Sequence, residues 1–159
     1  MEEEQPKTQM IEFPLSDIVE ESIEAFRALA KTQDKSLVSN IQSMISMYGD
    51  EKALRQLVTI LLDNAVKYSQ KGGEISLTLE SKKNSIKLCV FNTTEFISKE
   101  QLNCLFDRFY RTDQSRNSQT GGYGLGLSIA SAIVEAHKGK ITASTKDEKS
   151  LNIMATFPK

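Results

Sequence analysis

The sequence predicts a single α+β domain, and three patterns carry this prediction. Residues 16–33 and 50–73 place apolar side chains at helical spacing, and a third helical pattern follows the glycine cluster that begins at Gly121. The stretches EISLTLE and SIKLCVF alternate apolar and polar residues on either side of KKNS, which is typical of an antiparallel hairpin. With 159 residues, 39% of them hydrophobic, the chain is long enough for one domain with an ordinary core.

Composition argues against several classes of protein. The formal net charge is −1 with no sustained basic face, which argues against nucleic acid as a partner. No apolar run approaches the roughly 18–20 residues that a transmembrane helix needs, and MEEEQPK is unlike a signal peptide. Cys89 and Cys104 fit neither metal-ligand spacing nor a disulfide framework, so we expect core thiols in a reducing, cytoplasmic compartment. Residues 1–10 are expected to be a flexible tail or an expression remnant, and residues 11–159 the domain.

Local signals set the boundaries of the first elements. The first helix is predicted over 16–33, with Ser16 or Asp17 as its N-cap, and residues 36–50 are predicted as an extended strand followed by a turn. The second helix has an acidic start and a Gly-Gly stop. Asn64 lies on its apolar side, where an amide needs a partner, either a nearby backbone group or a ligand.

A helical turn, a polar loop and a glycine cluster lie between the hairpin and the third helix. The turn is predicted over 102–113 and carries Phe109. Residues 112–121 contain no apolar side chain, which predicts an exposed loop of the kind that covers an adjacent ligand site. The glycines of 121-GGYGLGL-127 alternate directly ahead of a helix. Unpaired backbone N–H groups and the helix dipole attract anions at such a position, so phosphate is the predicted ligand.

The third helix and two strands end the chain. The helix is predicted to end with Gly139 as its C′ residue, and the strands are predicted over about 140–146 and 151–157. The predicted apolar stripe of this helix comprises Leu125, Ile129, Ala132, Ile133 and Ala136.

The glycine cluster does not match other nucleotide-binding motifs. A dinucleotide fingerprint needs GxGxxG directly after a strand, whereas GxGxG here follows a polar loop. A Walker A loop needs Gly-Lys-Ser/Thr, and a eukaryotic-type protein kinase needs HRD and DFG; none of these is present.

Four motifs in order identify a family. They are LLDNAVKYS, LFDRFYR, GGYGLGLSIA and IVEAHKGKI. Together they resemble the N box, the F box, the second glycine box and the following passage of the ATP-binding catalytic domain of bacterial sensor histidine kinases. That domain belongs to the superfamily shared with gyrase B, heat-shock protein 90 and the MutL mismatch-repair ATPases. The resemblance covers residues 11–158 and implies a Bergerat-type α/β sandwich, in which a mixed, mostly antiparallel sheet is covered on one face by about three helices.

The resemblance assigns roles to individual residues. Asn64 matches the asparagine whose side-chain oxygen holds Mg²⁺, Lys67 the lysine that reaches phosphate, and Tyr68 a residue that lines the nucleotide. The implied catalytic residues are Lys67 and Arg111, the latter near the γ-phosphate; the alternative for Arg111 is a solvated surface arginine. The remaining implied ATP contacts are Asn92, Ile97, Phe109, Gly122, Tyr123, Gly124, Leu125, Gly126 and Leu127.

The first glycine box is altered in this chain. The family pattern DxGxG followed by Ile falls on residues 92–97, NTTEFI. Asn92 replaces an aspartate that reads the exocyclic amine of adenine, and its side-chain oxygen can still accept that hydrogen bond. Thr94 and Phe96 replace both glycines, and we expect Phe96 either to stack near adenine or to narrow its pocket. The third glycine box is absent from the last strand, SLNIMATFP.

Two further positions define the implied reaction. Ile60 lies four residues before Asn64, where hydrolysing relatives carry a glutamate that activates water, and isoleucine cannot take a proton. We therefore expect an enzyme that transfers phosphoryl to a histidine rather than one that hydrolyses ATP steadily. His137, the only histidine, falls at an ordinary helix-terminal position. The acceptor is thus expected on a dimerisation domain of the same parent protein.

These expectations describe the catalytic domain of a two-component sensor histidine kinase that uses ATP and Mg²⁺. Its implied partners are the histidine-bearing dimerisation domain and, through that domain, a response regulator. The isolated domain is expected to be a monomer, and the parent to be anchored in the plasma membrane. The alternative is a degenerate nucleotide-sensing module without kinase activity. The altered first glycine box favours that alternative, whereas Asn64, Lys67 and Arg111 favour the kinase.

Overall fold

The structure is a computed structural model, and it describes residues 9–107 and 126–159. Within these ranges the helices are α1 (Leu15–Thr32), α2 (Glu51–Tyr68), α3 (Lys99–Cys104) and α4 (Gly126–Ala136). The strands are β1 (Met10–Pro14), β2 (Ser36–Ile41), β3 (Ser46–Asp50), β4 (Glu74–Ser81), β5 (Ser85–Thr93), β6 (Lys140–Ser144) and β7 (Ser150–Pro158). None of these helices is long and apolar enough to span a membrane.

Five strands form the main sheet, in the order β2-β4-β5-β7-β6. The β2-β4 pair is parallel, and the other neighbouring pairs are antiparallel. Leu77 lies opposite Val90, and Val90 lies opposite Ile153, so apolar side chains align across one face. Helices α1, α2 and α4 pack on that face. The predicted mixed, mostly antiparallel sheet, covered on one face by three helices, is therefore confirmed.

A second, two-stranded sheet was not predicted. Strands β1 and β3 pair antiparallel, with Phe13 opposite Met47. Both of these side chains are buried in the same core as the main sheet. The two strands are only five residues long each and are separated by all of α1 and β2, so neither has a local pairing signal.

The predicted N-cap of α1 is wrong. The helix begins at Leu15, and Pro14, at the N-cap position, makes no side-chain capping bond. Ser16 is buried, and its hydroxyl donates to the Gln42 carbonyl at 2.7 Å and accepts from the Ile45 N–H at 2.9 Å. The serine hydroxyl thus bonds backbone groups of the loop before β3 instead of capping the N–H groups at the helix start. This long-range contact overrides the local preference of serine for the N-cap position.

The predicted apolar stripe of α4 is also wrong in part. The buried residues of the helix are Ala130, Ile133 and Val134. Ile129 is 38% exposed, and Ala132 and Ala136 are exposed. Because α4 carries apolar side chains around much of its circumference, spacing did not decide which of two apolar faces turns inward.

The end of α4 differs from the prediction as well. The residue with a positive φ of 63° is Lys138, not Gly139. The Lys138 N–H donates to the Glu135 carbonyl and the Gly139 N–H to the Val134 carbonyl, each at 2.9 Å, which is a Schellman arrangement with lysine at C′. Gly139 is required for a different reason: a Cβ there would overlap the Thr156 carbonyl oxygen.

Both cysteines are free and half-buried rather than fully buried core thiols. Cys89 lies on β5 between the buried residues Leu88 and Val90, so its side chain is on the opposite face of the sheet. Burial raises the pKa of the Cys89 thiol, which disfavours a reactive thiolate.

Candidate nucleotide-binding site

Helix α2 is the central element of the candidate site. The Asp50 carboxylate caps it by accepting from the backbone N–H groups of Lys52, at 3.1 Å, and Ala53, at 3.3 Å. One side of the helix is fully apolar and holds it against the sheet and the other helices; the buried residues are Leu54, Leu57, Val58, Leu61, Leu62, Ala65 and Val66. This packing fixes the positions of the polar side chains on its last two turns.

Asn64, Lys67 and Tyr68 share one edge of α2, because they lie three and four residues apart. Asn64 is half-buried, and within the part of the chain that the structure describes its side chain has no hydrogen-bond partner. The alternative that Asn64 bonds a nearby backbone group is therefore not observed among these residues. An amide oxygen that no described residue engages fits a hard cation such as Mg²⁺, which takes oxygen ligands.

Lys67 forms an ion pair that sequence reasoning missed. Its Nζ lies 3.1 Å from an oxygen of Asp63, and the two side chains are 35% and 47% exposed. An exposed pair four residues apart on a helix contributes only about 0.3–0.5 kcal/mol. Lys67 can therefore leave Asp63 for a phosphate at little cost. The spacing of the two residues along the helix was the signal that could have found the pair.

The start of α4 lies against the same part of α2. An ideal Cβ on Gly126, the first residue of α4, would be 3.6 Å from Cγ2 of Ile60, in ordinary contact. Ile60 is one helical turn before Asn64, so the N-terminal end of α4 lies close to the Asn64 edge. Leu127 packs against the core and fixes this end of the helix. The N-terminal end of α4, which carries the positive end of the helix dipole, is therefore held beside the metal-ligand candidate.

Asn92 and Ile97, the predicted adenine contacts, are both buried. Asn92 is 1% exposed and lies on the helix-covered face of β5, like Val90. Its Nδ2 donates to the Thr93 carbonyl at 2.9 Å, which leaves Oδ1 as the acceptor that could receive an exocyclic amine. Ile97 is 5% exposed and belongs to the same core.

The segment that replaces the first glycine box is held by the turn between β6 and β7. The Thr94 N–H donates to the Lys149 carbonyl at 2.9 Å, and the Ile97 N–H donates to the Glu148 carbonyl at 2.8 Å. Phe96, between them, is 58% exposed. Its ring therefore does not fill the interior, and the backbone of this segment is fixed without its glycines.

The structure brings together part of the predicted site. Asn64 lies one turn after Ile60, beside which α4 begins at Gly126, and Lys67 and Tyr68 follow on the same edge toward the end of α2. Asn92 and Ile97 are buried in the core. The predicted loop over 112–121 lies outside the described residues. So do six of the predicted ATP contacts: Phe109, Arg111, Gly122, Tyr123, Gly124 and Leu125.

Comparison with known proteins agrees with this geometry. The family described as "Histidine kinase-, DNA gyrase B-, and HSP90-like ATPase" matches residues 49–159. The signal transduction histidine-protein kinase BaeS of Escherichia coli (strain K12) is 35% identical over 134 residues, which is 84% of this chain and 29% of BaeS. The chain thus spans less than a third of that relative.

Solved structures share the fold. The catalytic domain of histidine kinase ThkA superposes with a TM-score of 0.81 at 22% identity, covering 95% of this chain and 97% of that one. Full-length ShkA, solved in complex with AMPPNP, gives a TM-score of 0.82 at 20% identity, covering 96% of this chain and 32% of that one. Family match, relative and fold agree, so the chain belongs to the histidine kinase-, DNA gyrase B- and HSP90-like ATPase family as a catalytic domain of the sensor histidine kinase type.

Proposed function

We propose that this domain binds ATP with Mg²⁺ and transfers the γ-phosphoryl group to a histidine on a dimerisation domain of the same parent protein. The observation that carries the proposal is the approach of Gly126 to Ile60, one turn from Asn64. It supports the proposal because the start of α4, which can receive phosphate, then lies near the Asn64 amide, with the Lys67 ammonium one turn further along the same edge of α2. The AMPPNP complex of ShkA supports a nucleotide site in this fold.

Different described residues contact different parts of the nucleotide. The backbone at Gly126 and Leu127 receives phosphate oxygens, and Lys67 moves from Asp63 to neutralise phosphate charge. Tyr68 lines the nucleotide at the end of α2, and the buried Asn92 accepts from the adenine amine, beside which Ile97 packs. Arg111 and Phe109, together with the glycines and intervening residues from Gly122 to Leu125, complete the proposed site.

The residues present fit a magnesium ion. Asn64 offers an amide oxygen that has no protein partner among the described residues. Mg²⁺ usually takes one or two protein ligands and completes its shell with water and substrate phosphates, so a single protein oxygen suffices. When bound, the ion supplies charge neutralisation on the phosphates.

Two side chains argue for transfer over hydrolysis. Ile60 stands at the position from which a carboxylate would activate water, and its Cγ2 faces Gly126, where an added Cβ would be 3.6 Å away. His137 is not available to receive the phosphoryl group, because both ring nitrogens are engaged in hydrogen bonds. Nε2 accepts one from the Asp50 N–H, and Nδ1 bonds the Ile133 carbonyl. The accepting imidazole therefore belongs to another domain, and the response regulator would receive phosphate from that domain.

The test is a labelling experiment with ATP that carries radioactive γ-phosphate. The chain would be incubated by itself, with the histidine-bearing domain of its own parent, and with that domain after Asn64→Ala in this chain. We expect no label on the chain, acid-labile label on the partner domain, and loss of that label with Asn64→Ala. Transfer between unlinked domains is expected to be slow because the tether that raises effective concentration is missing.

Each arm can contradict the proposal. Acid-labile label on the isolated chain, or label on the partner that survives Asn64→Ala, would overturn it. Nucleotide binding by the folded chain without transfer to the partner would instead favour the nucleotide-sensing alternative, for which Thr94 and Phe96 in the first glycine box are the sequence argument.

A further inference from the structure

Lys35 lies between α1 and β2, and its ammonium reaches the end of α2. Lys35 Nζ donates to the Val66 carbonyl oxygen at 2.5 Å, although the two residues are 31 positions apart. The Lys35 N–H donates to the Ala30 carbonyl at 2.9 Å. The following N–H, of Ser36, donates to the Gly73 carbonyl, also at 2.9 Å. The backbone that carries the Lys35 side chain is therefore fixed by hydrogen bonds, and its ammonium bonds one specific acceptor, the Val66 carbonyl.

The Val66 carbonyl is one of the last four of α2, which have no partner within an ideal helix. The preceding carbonyl, of Ala65, accepts from the Ser69 N–H at 3.1 Å. Val66 accepts from the Ser69 hydroxyl at 3.2 Å and from Lys35. A cation at this end of a helix also interacts favourably with the helix dipole. Lys35 is thus a tertiary cap on the last turn of α2.

The contact is specific to this carbonyl. Lys35 is half-buried, and burial lowers the pKa of its ammonium. Within the described ranges no carboxylate lies in ion-pair distance of Lys35, whereas its neighbour Asp34 lies 4.0 Å from Lys71. An ammonium that is partly removed from water and given a helix carbonyl in exchange is held by that carbonyl.

The anchored carbonyl adjoins the candidate site. Val66 is followed by Lys67 and Tyr68, and it lies two residues after Asn64. We propose that Lys35 is a positioning residue of the nucleotide site: by bonding Val66 it fixes the last turn of α2 and with it Lys67 and Tyr68. This inference rests on the proposed function, because its consequence is measured as nucleotide affinity.

The experiment compares Lys35→Met with Lys35→Arg, which keeps a charged donor, and with Lys31→Met, which removes an exposed lysine four residues earlier. Amide hydrogen exchange without nucleotide would be followed at Lys67, Tyr68 and Ser69, with α2 residues 57–62 as the internal reference. ATP affinity with Mg²⁺ would be measured by calorimetry on folded protein. Lys35→Met should speed exchange in the last turn only and weaken affinity by up to about tenfold, because the loosened turn must be ordered again when nucleotide binds; the free energy of one charged hydrogen bond sets the upper limit.

The controls separate this inference from the proposed function. Lys35→Arg should restore most of the affinity, and Lys31→Met should change neither measurement. A purely structural role would lower the melting temperature but leave the affinity of the folded protein unchanged, and that result would overturn the proposal. If the unaltered chain binds ATP and Lys35→Met binds equally well, only the role of Lys35 fails. If the unaltered chain does not bind ATP with Mg²⁺, the proposed function fails first, and the role of Lys35 with it. Should Lys35→Met not fold, Lys35→Gln, which keeps a neutral donor, takes its place under the same criteria.

Discussion

The His137 ring accepts a hydrogen bond from the backbone N–H of Asp50, with Nε2 and the amide nitrogen 3.1 Å apart. Nδ1 lies 2.8 Å from the Ile133 carbonyl, which can only accept, so Nδ1 carries the proton and Nε2 the lone pair. Gly49 makes room for the ring, since an ideal Cβ there would be 2.7 Å from Cδ2 of His137. The end of α4 is thereby joined to the N-cap of α2, at the opposite end of the helix pair from Asn64 and Gly126.

Replacing His137 with phenylalanine should lower the free energy of unfolding by about 1–3 kcal/mol, because the Asp50 N–H and the Ile133 carbonyl lose a partner. The ring contact with Phe157, now 6.3 Å between centroids, can persist in this variant. His137→Gln, whose side-chain oxygen can still accept from Asp50, should lose less. Urea unfolding followed by circular dichroism measures the difference. A phenylalanine variant as stable as the original chain would show that the hydrogen bonds of His137 contribute nothing to the free energy of unfolding.

The two residues after His137 should respond in opposite ways to substitution. Gly139→Ala should destabilise the domain by about 1–3 kcal/mol, because its Cβ meets the Thr156 carbonyl and the β6-β7 pair must shift. Lys138→Gly should be neutral or stabilising, since it removes a side chain from a left-handed conformation that costs about 1–2 kcal/mol. Thermal unfolding of both variants checks this. If Lys138→Gly is the more harmful change, the assignment of Lys138 as C′ is wrong.

Asp147 should make the stability of the domain sensitive to acid. Its pKa is lowered by the backbone N–H of Lys149 and then by the Ser150 hydroxyl. A lowered folded pKa adds stability above the unfolded value, near 3.8, and that stability is lost as pH falls through the folded pKa. The melting temperatures of the original chain and of Asp147→Asn should therefore differ most near neutral pH and converge in acid below 3.8. A difference that stays constant with pH would contradict this role.

Elements with local signals were predictable from the sequence. Helix α2 has an acidic cap at Asp50, an apolar face and a Gly-Gly stop within one continuous stretch, and the β4-β5 hairpin has strict alternation. The pairing of β1 with β3 was not predictable, because it joins strands on either side of α1 and its register is set by burial of Phe13 and Met47. The inward face of α4 was undetermined for a related reason: packing against α2 and the sheet, not the sequence of the helix itself, decides which apolar face is covered.

In the candidate site too, contacts that are local in sequence were predictable and long-range contacts were not. Asn64, Lys67 and Tyr68 could be proposed as site residues from the sequence, because their spacing along one helix is itself the motif. The Asp63 partner of Lys67 was within reach of the same reasoning, since it is four residues away. The bond from Lys35 to Val66 was not, because it depends on how α1, β2 and α2 pack. Long-range contacts of this kind leave no trace in periodicity.

Asn64→Ala should abolish the part of nucleotide affinity that depends on Mg²⁺ and leave the fold intact. The side chain is half-buried and has no partner among the described residues, so its removal breaks no recorded bond. Alanine is the better helix former, by up to about 0.7 kcal/mol, so the variant should be as stable as the original chain or slightly more so. Calorimetric titration with ATP, with and without Mg²⁺, measures the effect.

The matched control is Asn103→Ala, which makes the same change at an exposed position of α3. Both variants should unfold like the original chain, whereas only Asn64→Ala should make ATP binding insensitive to Mg²⁺. The reason is chemical: Mg²⁺ requires an oxygen ligand, and a methyl group offers none. A folded Asn64→Ala variant that still binds ATP more tightly with Mg²⁺ would remove Asn64 from the site. In that case the candidate Lys67 and the start of α4 at Gly126 would have to bind the phosphates without a metal held by α2.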